Sequence, residues 1–130
     1  MRHLGAFTLV AEAAPKAGQG SNGGRVLNDS ILGFLVAESA RGIGHIITID
    51  VRSEARRHHV GSALLEAAEL RLLSAKCQFV RLETAVDNAA AISFYKRRGY
   101  NVIQTIPRYY SSGVDALMLE KDLLLPVASS

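Results

Sequence analysis

Three short segments of mostly apolar residues in the first half of the chain predict three β-strands. The segments are "AFTLVAEA" (6–13), "ILGFLVAESA" (31–40) and "GHIITIDVRS" (44–53), and the last is rich in β-branched residues. Residues 14–30 are rich in Gly, Ser and Asn and predict a long flexible loop, across which the first two strands can pair as a hairpin. Asp50 interrupts the apolar run of the third strand, which predicts a bulge or a splay at that point.

Helical periodicity appears in the second half and alternates with further strands. Residues 60–75 predict a helix, because apolar residues recur there on one face: Leu64, Leu65, Ala68, Leu72 and Ala75. "NAAAISFYKRRG" predicts a second helix, with Asn88 as its N-cap and Gly99 just beyond its end. "FVRLETAV", "YNVIQTI" and "ALMLEKDL" predict strands. The order β-β-β-α-β-α-β-β predicts an α/β (α+β) fold with a mixed sheet, in a single domain over residues 1–130.

Composition narrows the class of protein. A hydrophobic content of 48% and a mean hydropathy of +0.14 predict a soluble globular domain, and no apolar run approaches the roughly 18 residues of a membrane-spanning helix. Cys77 is the only cysteine, which excludes an internal disulfide and fits a cytoplasmic protein. The net charge of +3 favours an anionic partner. Nucleic acid is disfavoured because basic and aromatic residues are not interleaved, and no residue spacing supports a metal site.

The densest positive cluster, residues 56–59, runs directly into Gly61 and Ser62 at the start of the first predicted helix. A helix start exposes unpaired N–H groups and the positive end of the helix dipole, so it binds anions. Gly61 lets a phosphate approach the backbone closely. The stretch therefore predicts a site for a diphosphate, although it fits neither the G-x-G-x-x-G nor the G-x-x-x-x-G-K-[ST] spacing.

"RRHHVGSALL" resembles the acetyl-CoA loop of the GNAT acetyltransferases, Q/R-x-x-G-x-G/A, with Arg56 in the first place and Gly61 in the last. His59 stands where that family usually has a glycine, which predicts a side chain beside the phosphates or a left-handed backbone. "LETAVDNAAAISFYKRRGYNVI" resembles the next segment of the family, N-x-x-A-x-x-F/L-Y-x-x-x-G-F. "RYYSSGVDALMLEKDL" resembles the end of the ribosomal-protein-alanine N-terminal acetyltransferase branch. The resemblance covers roughly residues 31–123.

The resemblance implies a partly splayed sheet flanked by helices and an enzyme that uses acetyl-CoA as co-substrate. It would move an acetyl group to a primary amine, expected to be the N-terminal α-amine of a protein or peptide, by direct attack on the thioester. The pantetheine arm of acetyl-CoA would lie between the third and fourth strands. The cofactor-binding residues that the resemblance implies are Ile49, Asp50, Val51, Arg56, Arg57, His58, His59, Val60, Gly61, Ser62 and Asn88.

Two catalytic residues follow from the same resemblance. Tyr95 matches the tyrosine that protonates the CoA sulfur, and Glu83, five residues before Asn88, matches the general base. The alternatives are a core aromatic for Tyr95 and an exposed strand charge for Glu83. Asp50 is a rival acidic group, whereas His45 is expected to be an ordinary strand residue.

The beginning of the chain departs from the family, because its first strand and the helices that cover the substrate side have no counterpart before Phe7. We therefore expect an uncovered groove and a bare sheet edge, which favour a homodimer. Tyr109 and Tyr110 would wall the acceptor site or pack at a turn. Two other functions stay open: a CoA-binding sensor or subunit without turnover, and an acetyltransferase for a small-molecule amine.

Overall fold

The computed structural model describes residues 5–13, 30–56 and 59–125. This part of the chain contains six strands and two α-helices. The strands are β1 (Phe7–Glu12), β2 (Ile31–Ala40), β3 (Ile43–Val51), β4 (Phe79–Ala85), β5 (Asn101–Ile106) and β6 (Ala116–Asp122), and the helices are α1 (Val60–Ser74) and α2 (Ala89–Arg97). The order of these strands and helices along the chain confirms the predicted order β-β-β-α-β-α-β-β. The predicted loop falls almost entirely outside the described residues.

The six strands form one mixed sheet in the order β1-β2-β3-β4-β6-β5. Strands β1, β2 and β3 pair in antiparallel fashion, so the predicted hairpin between β1 and β2 is confirmed. Strands β3 and β4 are parallel, and α1 makes the crossover between them. Strand β6 lies between β4 and β5, antiparallel to both, which leaves β5 at the edge of the sheet.

An irregularity in β3 lies before Asp50 rather than at it. Val36 of β2 is opposite Thr48, but the next residue, Ala37, is opposite Ile46, so Ile47 is the extra residue of a bulge. Asp50 itself is paired regularly with Phe34 and is exposed to solvent. Because the side chain of Asp50 is exposed to solvent, its charge is accommodated without a break in the strand pairing.

One face of the sheet is covered by α1 and forms the core. Leu64, Leu65, Ala68 and Leu72 are buried, as the helical periodicity predicts. A Cβ atom at Gly44 of β3 would lie 2.6 Å from Leu72 Cδ1, so only glycine lets α1 approach the sheet this closely. Ala75 is exposed because the helix ends at Ser74.

The opposite face of the sheet remains open within the described residues. It exposes apolar side chains on the first three strands, among them Val10, Phe34 and Ile47. It also carries charged side chains where β3 and β4 lie side by side. Among the described helices, neither is long and apolar enough to cross a membrane.

Candidate active site

The start of α1 forms an open cradle of backbone N–H groups. His59 precedes the helix with a left-handed backbone, φ 61° and ψ 23°, and no side chain caps the first turn. The first turn also contains no acidic residue. A Cβ atom at Gly61 would make ordinary contacts with Phe94 Cζ at 3.6 Å and Val51 Cγ2 at 3.8 Å. No side chain in the described part of the chain occupies these N–H groups, so the cradle can bind an anionic group of a ligand.

Strands β3 and β4 diverge, as the predicted splay requires. They pair only over Ile43–His45 and Phe79–Arg81. Beyond that stretch, the N–H of Arg52 donates to the carbonyl of Leu32 on β2, 2.8 Å away. Because successive residues of a strand turn their backbone groups to opposite edges, the backbone groups of Val51 and Ile49 face the gap. The carbonyl of Val51 accepts from Arg56 Nε, at 3.2 Å.

A cleft of about 520 Å³ joins the cradle to this gap. Its lining contains most of the predicted cofactor-binding residues together with side chains from α2: Ile49, Asp50, Val51, Arg56, His59, Gly61, Ser62, Phe94, Tyr95, Arg97 and Arg98. Arg57 and His58 lie outside the described residues. The side chain of Val60 points into the core instead, and Asn88 caps α2 by accepting from Ala91 N–H at 3.1 Å.

The contribution of Arg98 to the cleft was missed by the sequence analysis. Arg98 lies with its guanidinium carbon 4.3 Å from the centre of the Phe94 ring. Its Nη2 donates to the hydroxyl of Ser62 in the first turn of α1, and its buried Nε has no hydrogen-bond partner among the described residues. The basic run at 96–98 is visible in the sequence, but nothing local indicates that it meets the start of α1.

Tyr95 forms part of the cleft lining and is buried. Its ring packs edge-on against Phe94 and Tyr100, with centroid distances of 5.2 and 5.8 Å. Burial raises the pKa of Tyr95, and the nearby Tyr110 raises it further. The hydroxyl therefore stays protonated at neutral pH and can donate a proton.

Glu83 lies on β4 outside the cleft lining, on the open face of the sheet. Its Oε1 is 2.7 Å from Nε2 of His45 on β3. Burial is the main cause that raises the pKa of Tyr110, followed by the electrostatic effects of Tyr109 and Glu83. Tyr110 is thus close enough to Glu83 to be influenced by its charge.

The double tyrosine forms part of the loop between β5 and β6. The two rings pack edge-on with their centroids 4.9 Å apart. Tyr109 is exposed and Tyr110 is half-buried. The backbone of Tyr110 is held by bonds to Val114 and Gly113, so the pair is presented by a tight turn. This arrangement leaves one ring surface available to a ligand.

The model of the Acetyltransferase (GNAT) family matches residues 10–100. The matched span runs from β1 to the end of α2 and includes the cradle, the splay and Tyr95. The chain belongs to the GNAT acetyltransferase family. Its mixed sheet, its flanking helices and the divergence of β3 and β4 confirm the fold that the resemblance implied.

Relatives of this GNAT domain carry the name N-acetyltransferase. An N-acetyltransferase of Methanocaldococcus jannaschii is 34% identical, over 73% of this chain and 62% of its own length. N-alpha-acetyltransferase 30 of Dictyostelium discoideum is 38% identical, over 65% of this chain and 43% of its own length. The chain thus spans between two fifths and two thirds of the length of these two relatives.

Several solved structures share the fold. Ard1 from Thermoplasma volcanium superposes with a TM-score of 0.70 at 33% identity, covering 74% of this chain and 66% of that one. The NatC complex bound to a Gag peptide and CoA gives 0.67 at 28% identity, covering 78% and 67%. The ribosomal-protein-S18-alanine N-acetyltransferase of Escherichia coli gives 0.65 at 26% identity, covering 79% and 66%.

Proposed function

We propose that this GNAT domain is an N-acetyltransferase that uses acetyl-CoA to acetylate a primary amine, most specifically the N-terminal α-amine of a protein or peptide. The observation that carries the proposal is the cleft, which connects an uncapped helix start to a gap between two parallel strands and has Tyr95 in its lining. The names of the relatives, N-acetyltransferase and N-alpha-acetyltransferase, support the choice of reaction.

The cradle fits the diphosphate of CoA. Gly61 and Ser62 supply backbone N–H groups there, and Arg56 and Arg98 supply positive charge at the rim. His59 contributes through its left-handed backbone, which turns the chain into the helix. The motif adds Arg57, His58 and Val60 to this set, the last through its backbone.

The gap between β3 and β4 fits the pantetheine arm. Its amide groups can pair with the backbone groups of Ile49 and with the N–H of Val51, much as an added strand would. Asp50 and, by the motif, Asn88 complete the predicted set along the arm. The thioester would then lie beside Tyr95 in the cleft lining.

The proposed chemistry uses the acetyl thioester as an electrophile, and two side chains move protons around it. Glu83 takes a proton from the acceptor ammonium, directly or through a water molecule, and leaves a neutral amine. The nitrogen lone pair forms the C–N bond, the C–S bond breaks, and its electron pair leaves on sulfur. Tyr95 protonates that sulfur and regains a proton from the nitrogen. The products are an N-acetyl amide, CoA and one proton released through Glu83.

The acceptor site is proposed at the mouth of the splay. Tyr110 is influenced by the charge of Glu83 and packs edge-on against Tyr109, and the pair would offer ring surface and hydroxyl groups to a peptide N-terminus. The exposed apolar residues of the open sheet face support the predicted homodimer, which light scattering at micromolar concentration would measure. A cytoplasmic location likewise stays a prediction.

A thermal-shift experiment followed by mass spectrometry tests the proposal. At a concentration 100 times its Kd, acetyl-CoA should stabilise the fold by about 2.7 kcal/mol and raise the Tm by roughly 10 °C. Peptides with a free N-terminus should gain an acetyl group there, and control peptides with a blocked N-terminus and a free lysine should not. An unchanged Tm would refute the CoA site. A shift without acetylation would favour a sensor, and acetylation of small amines alone would redirect the acceptor class.

A further inference from the structure

We infer that His45 positions Glu83 for catalysis by holding one carboxylate oxygen and leaving the other free to take the proton of the acceptor amine. His45 would be a positioning residue, because it acts through Glu83. The inference rests on the proposed function, in which Glu83 is the base. It revises the expectation from the sequence that His45 is an ordinary strand residue.

The geometry brings the two side chains together where the splay begins. His45 is opposite Arg81 in the last paired positions of β3 and β4. Glu83 is two residues further along β4, so it lies on the same face of the sheet as Arg81. The imidazole reaches across the opening gap, and its Nε2 lies 2.7 Å from Glu83 Oε1. This distance is that of a strong, charge-assisted hydrogen bond.

The bond leaves one oxygen of Glu83 without a partner in the described part of the chain. Because a carboxylate only accepts hydrogen bonds, His45 must donate its Nε2–H to Oε1. The other oxygen, Oε2, then stays available for the amine. The side chain of Glu83 is 12% exposed, so few waters compete for this position.

The other charged neighbours of His45 and Glu83 do not replace their hydrogen bond. Glu38 of β2 is opposite His45, and its Oε2 lies 4.0 Å from Nδ1. Arg81 is engaged by Glu120 on β6, at 2.8 Å, and so does not compete for Glu83. The side chains of His45 and Glu38 are 36% and 38% exposed, which places solvent on the side of the ring away from Glu83.

Substitutions at His45 separate positioning from folding. His45→Leu removes the donor and should lower kcat about 10- to 100-fold, with the KM for acetyl-CoA unchanged within about threefold. His45→Gln retains an N–H donor at a similar reach and should restore kcat to within about fivefold of the wild type. Glu38→Gln is the matched control on the other ring nitrogen and should change kcat by less than about threefold. Circular dichroism checks that each variant is folded.

A second readout does not depend on turnover. The ¹⁵N NMR signals of the His45 ring should show the Nε2–H tautomer in the full chain at pH 8, and a mixture of tautomers in Glu83→Ala. An undiminished kcat in His45→Leu, with an active wild type, would overturn the inference and leave the proposed function intact. A wild type that binds acetyl-CoA without acetylating any amine would refute the proposed function. In that case the tautomer of His45 still tests its hydrogen bond to Glu83. A mixture of tautomers in the wild type overturns the bond, and the Nε2–H tautomer supports it.

Discussion

Tyr95 and Tyr100 form a matched pair in which removal of one hydroxyl should affect catalysis and removal of the other should affect stability. Their rings pack against each other, with centroids 5.8 Å apart, and both are buried. The hydroxyl of Tyr95 has no hydrogen-bond partner among the described residues, and Tyr95 lines the cleft. The hydroxyl of Tyr100 instead donates to Glu69 Oε2 on α1, at 2.7 Å. Tyr95→Phe therefore removes an oxygen that faces no hydrogen-bond partner in the described part of the chain, whereas Tyr100→Phe removes one that bonds to Glu69.

Tyr95→Phe should reduce kcat by about 100-fold or more, because it removes the proposed acid of the thiolate leaving step. That loss corresponds to about 2.7 kcal/mol of transition-state stabilisation. The ring and its packing remain, and no partner loses a hydrogen bond. The free energy of unfolding should therefore change by no more than about 0.5 kcal/mol.

Tyr100→Phe should show the opposite result. Glu69 is mostly buried and would keep only its ion pair with Lys121, at 2.8 Å. The loss of a hydrogen bond to a charged group costs about 1.5–3 kcal/mol, which for a chain of this length lowers the Tm by roughly 5–10 °C. Turnover below the Tm should stay within about threefold of the wild type, because the hydroxyl points toward α1 and away from the cleft.

Thiol release measured with a chromogenic reagent gives kcat, and calorimetry gives the Tm of the same samples. Unchanged turnover in Tyr95→Phe would refute the acid role. A Tyr95→Phe variant that lost more than about 2 kcal/mol of stability would also undermine the reasoning, because its lost activity could then arise from a disturbed core.

Three further predictions concern the cradle and the buried tyrosines. Gly61→Val should weaken acetyl-CoA binding at least about tenfold, because its side chain fills the space beside the phosphates. Gly61→Ala should weaken binding less, because its Cβ fits in that space. Calorimetric titration measures the affinity of both variants. Arg98→Leu should weaken acetyl-CoA binding about tenfold but leave S-acetyl-pantetheine, which lacks the diphosphate, unaffected; equal losses would contradict a phosphate role. Burial raises the pKa values of Tyr95 and Tyr100 above the value of about 10 in an unfolded chain, so their contribution to stability is complete below pH 10 and is lost as the pH rises further. The Tm should therefore fall steeply above pH 10, and less steeply in Tyr100→Phe.

The secondary structure followed closely from local patterns. Helix α1 buries the residues that its apolar periodicity selected, and α2 begins at Ala89 with Asn88 as its cap. Gly99 has the positive φ of 97° that ends the helix. These features depend on residues within one or two turns of each other, so a single sequence contains the necessary information.

The candidate site was only partly predictable. Gly61, Ser62 and Tyr95, which the sequence analysis named as site residues, all lie in the lining of one cleft. Arg98 was missed, since its contact with Ser62 spans 36 residues and joins two helices. The bond between His45 and Glu83 spans 38 residues and was missed for the same reason.

The sequence by itself determined the order of the elements, the helix boundaries and the presence of an anion-binding helix start, because each arises from short-range spacing and backbone chemistry. Only the tertiary structure decided that β6 lies between β4 and β5, that β3 parts from β4 after His45, and that the basic end of α2 meets the start of α1. Strand order and register depend on how distant segments share one core and one set of backbone hydrogen bonds. No local pattern of apolar and polar residues records that choice.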